Sequence, residues 1–305
     1  MVWMAKNNHK EILICIVGSF LLWVYFNLYK ENIKIIERTK VFRAGHGNIA
    51  KVQERPNVEN KTDIPNIYIV TATYSRLAQK ADLTRLSYTL RLVPNIHWIV
   101  VEDADNKTEL VRNFLFNSKL QFIHLNKRTP NVKNRWEIRG ISQRNEAVRW
   151  IRQFAQTPGV VYFADDDNTY DIRIFEEMRY TKNVSVWPVG LVAGLRYEAP
   201  KVSNKKVVGW HTSFPRKFST DMAGFAVNLQ LLKNITSVEF RASAPPGHHE
   251  TDFIQQLGVE LSDLEPLAAN CTKVLVWHTR TQKPNVNNES KVHQDKNYTS
   301  DPIEV

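Results

Sequence analysis

Strand-like runs rich in β-branched and aromatic residues alternate with segments of helical period from Ile67 to Ala164, and this rhythm limits the fold more than any other feature of the sequence. Ile67-Tyr68-Ile69-Val70, His97-Trp98-Ile99-Val100-Val101, Leu120 to Leu125 and Val160-Val161-Tyr162-Phe163-Ala164 have the composition of buried strands. Leu77, Leu83, Leu86 and Leu90 recur at roughly helical spacing, with Pro94 closing the segment, and further helices are expected from Thr108 to Phe116 and from Ser142 to Phe154. Such alternation folds as a largely parallel sheet with helices on both faces, an α/β class in which ligands bind beyond the carboxyl ends of the strands. Three strands end in polar residues, at 71–76, at Glu102-Asp103 and at Asp165-Asp166-Asp167, so these ends can meet at one site. After Asp167 the rhythm loosens. Strand-like runs at 184–192, 207–208, 225–227 and 273–278, with irregular segments between, imply a mixed sheet in the second half.

The fourth strand carries the chemistry. Three adjacent carboxylates repel one another unless a cation or several donors sit among them. Alternation along a strand places Asp165 and Asp167 on one side and Asp166 on the other. An all-oxygen set favours Mg²⁺ or Mn²⁺, completed by water and a substrate's phosphates. The plain alternative is a solvated acidic loop.

The 305 residues divide into a tail at 1–11, an uncharged apolar segment at 12–29, a charged and Asn-rich stem at 30–64, and a body at 65–305. The apolar segment is long enough to cross most of a hydrocarbon core and ends in bulky aromatics, so an uncleaved anchor is expected rather than a cleaved signal. Sequons at Asn60, Asn106, Asn183, Asn234, Asn270, Asn288 and Asn297 have meaning only in the secretory lumen. Together they imply a single-pass type II membrane protein with a lumenal body. Cys15 lies in the anchor, so Cys271 has no partner for a disulfide within the body, whose stability must come from packing. The net charge of +10 fits anionic substrates or sugar chains, and no nucleic-acid motif accompanies it.

The chain resembles the inverting β-1,3-glucuronosyltransferases that build the proteoglycan linker and related glycans. The matching runs are Val70-Thr-Ala-Thr-Tyr-Ser-Arg76, Val101-Glu-Asp-Ala104, Gln143-Arg-Asn145, Val160-Val-Tyr-Phe-Ala-Asp-Asp-Asp-Asn-Thr-Tyr170, Phe175-Glu-Glu-Met-Arg179, Val184-Ser-Val-Trp-Pro-Val-Gly-Leu191, Asp221-Met-Ala-Gly-Phe225, Gly247-His-His-Glu250, Leu264-Glu-Pro266, Ala269-Asn-Cys-Thr272 and Val274-Leu-Val-Trp-His-Thr-Arg280. They occur in family order and span the body from Pro65 to Lys283.

The resemblance implies a nucleotide-sugar glycosyltransferase A-type fold, with a donor half at 65–167 and an acceptor half with the C-terminal tail at 168–305. It implies UDP-glucuronate as donor, Mn²⁺ as cofactor with Asp167 as its direct ligand, and a galactose-terminated glycan on a proteoglycan core protein as acceptor. Ala72, Thr73, Tyr74, Asp103, Arg139, Arg144, Asp165, Asp166, His278, Thr279 and Arg280 fall on the donor side. Glu198, Phe214, Arg216 and Asp221 fall on the acceptor side, and Glu250 is the catalytic base. A lumenal homodimer in the Golgi membrane is the setting it implies. Each role has a competing structural reading: Arg139 and Arg144 as part of a solvated basic helix face, Glu250 as a helix cap. At the start of the helix expected from Thr251 to Leu257, the dipole would keep Glu250 ionised.

Departures from the family pattern bear mainly on the acceptor. Ala72 stands where the family has Pro, which would loosen the uridine loop. Phe214 stands where the linker enzymes have Trp, the stretch from Phe214 to Thr220 is short, and His249 replaces an apolar residue. Transfer to the Gal-Gal-Xyl linker is therefore set beside transfer to N-acetyllactosamine. An inactive anchored sugar-binding protein and a metal-dependent hydrolase complete the set of alternatives.

Overall fold

The first strand runs further than its apolar core. A computed structural model of the chain describes residues 64–130 and 140–287, and there β1 covers Asn66–Thr73. The expected polar turn at 71–76 is thus strand through Thr73. Thr71 and Thr73 can be buried because their hydroxyls are satisfied: Trp98 Nε1 donates to Thr71 Oγ1 at 2.9 Å and Gln79 Nε2 to Thr73 Oγ1 at 3.2 Å. Ala72, which keeps the N–H that proline lacks, sits in register with Val101 inside the ladder.

The alternation then unfolds as expected, with shifts of one or two residues at the ends. Helix α1 is Gln79–Leu90, β2 Ile96–Glu102, α2 Glu109–Asn117, β3 Phe122–Asn126, α3 Ile141–Phe154 and β4 Gly159–Phe163. Leu83, Leu86 and Leu90 supply the buried stripe of α1. Thr108 caps α2, accepting from the N–H of Val111 at 3.4 Å.

The second half supplies β5 Thr169–Tyr170, α4 Arg173–Met178, β6 Val184–Val186, β7 Val189–Gly190, β8 Tyr197–Ser203 and β9 Lys206–His211. It continues with β10 Phe225–Asn228, α5 Leu229–Asn234, α6 His249–Gln256, β11 Glu265–Pro266 and β12 Val276–Trp277. The run expected as one strand at 184–192 is two strands in two sheets. Pro188 cannot donate to a ladder, and Trp187 turns its Nε1 onto the carbonyl of Ala223 at 2.9 Å. Strand β8 was not anticipated, because Glu198, Pro200 and Lys201 dilute its strand character; it forms a hairpin with β9 through Asn204 and Lys205, both at positive φ. The C-terminal run expected at 273–278 narrows to β12.

The larger sheet has the order β11-β6-β10-β4-β1-β2-β3, with β4, β1, β2 and β3 mutually parallel and β10 antiparallel to both β4 and β6. The smaller has the order β5-β12-β7-β8-β9. This is the α/β arrangement expected: parallel in the first half, mixed in the second. The larger sheet takes strands from both sides of Asp167, so the two halves share one sheet.

Each face of that sheet has its own apolar layer, and β4 serves both by alternation. Val161 and Phe163 face one layer, while Val160, Tyr162 and Ala164 face the other. Phe163 packs against Phe225, Phe240 and Phe253 at centroid distances of 5.9, 5.0 and 5.6 Å. Tyr162 meets Tyr170, Phe175 and Trp187 on the opposite face. These contacts fix the tip of β4, from which the aspartates emerge.

The tail, the apolar segment at 12–29, nearly all of the stem, Arg139 and the C-terminal residues from 288 onward lie outside the described residues. Among the described residues no helix is long and apolar enough to cross a membrane.

Candidate active site

Strand β4 stops at Phe163, and the three aspartates occupy the turn beyond it. Asp165 and Asp166 point to different partners. Arg144 Nη2 lies 2.6 Å from Asp165 Oδ1, and Arg76 Nη2 lies 2.7 Å from Asp166 Oδ1 while Thr73 Oγ1 donates to Asp166 Oδ2 at 2.7 Å. Burial pushes the Asp166 carboxyl up to about 6, against the pull of Arg76 and Thr73. Asp167 is held differently. Its carbonyl accepts from Thr279 Oγ1 at 2.7 Å and Arg85 Nη2 at 3.3 Å, whereas among the described residues its carboxylate carries no hydrogen bond or ion pair. Burial and the neighbouring Asp165 charge raise its pKa, as expected of a carboxylate short of a cation. Asp167 therefore fits a hard divalent ion, with two carboxylates already neutralised beside it. No cluster of three or more His, Cys, Asp or Glu among the described residues could enclose a metal, so such an ion would draw its remaining ligands from water or phosphate.

The adjacent strand ends form the donor wall. Tyr74 is 42% exposed, and the guanidinium of Arg76 lies 4.7 Å from the centroid of its ring. Asp103 donates its N–H to the carbonyl of Thr73 at 2.8 Å, and its carboxylate accepts from the N–H and Oγ1 of Thr129 at 2.7 and 2.8 Å. Glu102 does not join the site. It is buried between His124 and Thr108, whose Oγ1 donates to it at 2.7 Å.

Arg144 leaves the solvated-face reading behind. It reaches Asp165 from α3 because Gly140, at φ +79°, has no Cβ; one built there would lie 2.2 Å from Arg144 Nη1. Its helix neighbours are structural or exposed: Arg152 binds the carbonyls of Leu232, Ile235 and Val238, and Arg149 pairs with Glu146.

A strap after β12 closes the opposite side. His278 donates its N–H to the carbonyl of Gly190 at 2.8 Å, and its Nδ1 lies 3.5 Å from Asp221 Oδ2. Thr279 sits between Asp167 and Thr169, with 3.1 Å between the two threonine hydroxyls. Arg280 is exposed, and among the described residues it has no ion pair.

The acceptor residues expected from sequence also come together. Glu198 is buried, takes a hydrogen bond from Thr212 Oγ1 and lies 3.3 Å from Arg216 Nη2. Arg216 lies 5.1 Å from the centroid of Phe214, whose exposed ring meets His248 edge-on at 5.2 Å. Asp221 caps a short 3-10 turn through the N–H of Ala223 at 3.0 Å. Burial raises the pKa of both Glu198 and Asp221.

Glu250 lies in the first turn of α6, half-buried. The expectation that the helix dipole keeps it ionised is corrected here. Burial, with the Asp221 charge adding to it, pushes its carboxyl up to about 7, because desolvation outweighs a dipole term of about 1 kcal/mol. Arg144 and Arg216 pull the other way, so the carboxyl feels a charge from the donor side and one from the acceptor side. Sequence reasoning missed Asp82 and Arg85 on α1, and gave no role to Arg76. The one available signal was an acid and a base three positions apart at a helix start.

Residues 86–282 match glycosyltransferase family 43. The chain is 51% identical over 251 residues to galactosylgalactosylxylosylprotein 3-beta-glucuronosyltransferase 2 of Mus musculus, covering 80% of this chain and 77% of that protein. It is 49% identical over 263 residues to galactosylgalactosylxylosylprotein 3-beta-glucuronosyltransferase 3 of Homo sapiens, covering 79% and 78%. With galactosylgalactosylxylosylprotein 3-beta-glucuronosyltransferase 1 of Homo sapiens it shares 51% identity over 257 residues, covering 79% and 75%.

Proposed function

We propose, for a chain that belongs to glycosyltransferase family 43, that it moves glucuronate from UDP-glucuronate to O3 of a terminal galactose on the Gal-Gal-Xyl linker of proteoglycan core proteins. The names of its relatives support this acceptor. The observation that carries the chemistry is Glu250: a half-buried carboxyl that burial pushes up to about 7, within the field of the Arg144 that holds Asp165 and of the Arg216 that holds Glu198.

In this reading Tyr74 offers its ring to the uracil and Asp103 borders the same pocket. Asp165 and Asp166, held by Arg144 and Arg76, line the nucleotide side. Arg144 and Arg139 provide guanidinium groups able to hold the glucuronate carboxylate bidentately. Thr279 seats the strap so that His278 and Arg280 can face a diphosphate and stabilise the charge that develops as it leaves. Mn²⁺ bound at Asp167 would add a Lewis-acid charge to that same leaving group. On the other side Glu198 and Asp221 accept hydroxyl hydrogen bonds, and Phe214 gives the acceptor sugar an apolar face. Glu250 accepts the proton of the attacking hydroxyl, and a single displacement inverts the α-linked donor to a β product.

The setting belongs to the same proposal: a Golgi membrane protein, single-pass type II, its body in the lumen and paired as a homodimer. The apolar segment at 12–29 supports the anchor, and the sequon asparagines Asn106, Asn183, Asn234 and Asn270 are all exposed.

An acceptor panel with UDP-glucuronate and Mn²⁺ tests the reading. Transfer to Gal-Gal-Xyl is the expected result. Preference for N-acetyllactosamine, which the exposed Phe214 would favour, moves the acceptor assignment to glycoproteins. UDP-glucuronate cleavage without transfer to any galactoside, or no turnover at all, overturns it.

A further inference from the structure

We propose that Asp82 is a positioning residue for the donor: from the first turn of α1 it holds the strap carrying His278 and Arg280 in register with the arginine that clamps Asp166. The proposal rests on the reading of the site as a UDP-sugar site.

The Asp82 side chain is 1% exposed and lies between two guanidinium groups, with Arg76 Nη2 at 2.8 Å and Arg85 Nη2 at 3.1 Å. It also accepts from Thr281 Oγ1, 199 positions along the chain. Each partner leads to the turn after β4. The same Arg76 Nη2 lies 2.7 Å from Asp166 Oδ1, so two carboxylates share one nitrogen. Arg85 Nη2 lies 3.3 Å from the Asp167 carbonyl and 3.3 Å from Thr281 Oγ1, and Thr279 Oγ1 donates to that carbonyl at 2.7 Å. Asp82 thus joins the base-binding loop, the aspartate turn and the strap at one buried point.

An acid in the first turn of a helix is favourable by itself, and an ordinary one bonds the N–H groups of its own helix. Asp82 spends its oxygens otherwise, on Arg76, Arg85 and Thr281. Two guanidinium groups on one carboxylate offset its desolvation and make the node rigid, whereas a neutral side chain would leave Arg76 with Asp166 alone. The strap would then lose its shortest tie to α1, keeping on that side only the longer contact from the exposed Arg85 to Thr281 Oγ1 at 3.3 Å. The bonds of Asp82 run to Arg76, Arg85 and Thr281 and not to Glu198, Phe214 or Arg216, so the effect should fall on the donor and spare the acceptor.

The test uses the detergent-solubilised full chain and three substitutions: Asp82→Asn, Asp82→Glu and Thr281→Val. UDP binding is measured by calorimetry with Mn²⁺, and KM is measured for each substrate. Asp82→Asn should weaken UDP binding and raise the donor KM by about tenfold to a hundredfold, the scale of one charge-assisted hydrogen bond. The acceptor KM should stay within about twofold. Asp82→Glu should recover most of the loss. Thr281→Val should act in the same direction but less, and add little to Asp82→Asn in the double variant, because both break one connection. Native UDP binding in a folded Asp82→Asn variant, or an equal rise in both KM values, overturns the proposal. If Asp82→Asn does not fold, Thr281→Val carries the test, and unchanged UDP binding there overturns it. A wild-type chain that binds UDP but transfers no glucuronate overturns the functional reading alone, since the UDP titrations still decide Asp82.

Discussion

At the scale of single residues, the site depends on carboxylates held at different distances from their cations. Asp165 and Asp166 are clamped, Asp167 is left open, and Glu250 is pushed up to about 7 by burial and by Asp221. A general base must be ionised to work, so kcat/KM should fall about tenfold per pH unit below about 7 and level off above it. A pH-rate profile with no inflection between 6 and 8 would remove Glu250 from that role. Glu250→Gln should cut turnover by about 10²–10⁴-fold, the usual range for a general base, while UDP affinity measured by calorimetry stays unchanged. The same group sets a stability slope. Its folded pKa is raised from 4.5 to about 7, so the folded state binds the proton more tightly than the unfolded chain and loses relative stability as pH rises through that window. Glu250→Gln should therefore melt higher than the wild type at pH 8, by about 1–2 kcal/mol after allowance for partial exposure, and equally at pH 4, as thermal unfolding can check. The types and order of the site residues were readable from sequence. Their protonation was not, because the desolvation of Glu250 depends on neighbours such as Asp221 that lie elsewhere in the chain.

At the scale of elements, what could be read was what local period and composition determine. The leucine spacing of α1 and the apolar runs of β2 to β4 each appear within one or two residues of their expected bounds. The errors arise where a tertiary partner overrides local preference. Thr71 and Thr73 looked like a turn and are strand because Trp98, Gln79 and Asp166 satisfy their hydroxyls. The run at 184–192 looked continuous and breaks at Trp187-Pro188, where the indole donates to the carbonyl of Ala223 and the proline has no N–H for a ladder. Helix α3 shows the same dependence in reverse. Its N-terminal Gly140 looks dispensable, yet its positive φ and missing Cβ let Arg144 fold back onto Asp165. Gly140→Ala would set a methyl 2.2 Å from Arg144 Nη1 on a backbone that L residues avoid, and should displace the guanidinium. The expected outcome is a donor KM raised by about tenfold, with the acceptor KM unchanged, in steady-state assays. A wild-type donor KM would show that Arg144 reaches Asp165 by another route.

At the scale of the whole molecule, the boundary between donor and acceptor halves is chemical and not mechanical. In the proposed reading most nucleotide-binding residues precede Asp167, with His278, Thr279 and Arg280 returning to that side from the C-terminal strap, and the acceptor residues follow it, but the larger sheet places β10 directly beside β4 and β6 next to β10. Both faces of β4 are covered from the second half. Phe163 packs on Phe225, Phe240 and Phe253, and Tyr162 on Tyr170, Phe175 and Trp187. A fragment ending at Asp167 would expose an unpaired strand edge together with the rings of Tyr162 and Phe163, whose six aromatic partners it lacks. Leaving each ring in water forfeits about 1.5–3 kcal/mol, and the two together remove a large part of the roughly 5–15 kcal/mol that holds an ordinary domain. The fragment 65–167 should therefore lack a cooperative thermal transition and bind an apolar dye, while the body from 65 to 287 melts in one step. Phe163→Ala in that longer body should cost about 3–5 kcal/mol by denaturant unfolding, with the loss felt at the aspartate turn as weaker UDP binding. Cooperative melting of the short fragment, with UDP binding intact, would show that the nucleotide half folds by itself and that the shared sheet is assembled from two independent domains.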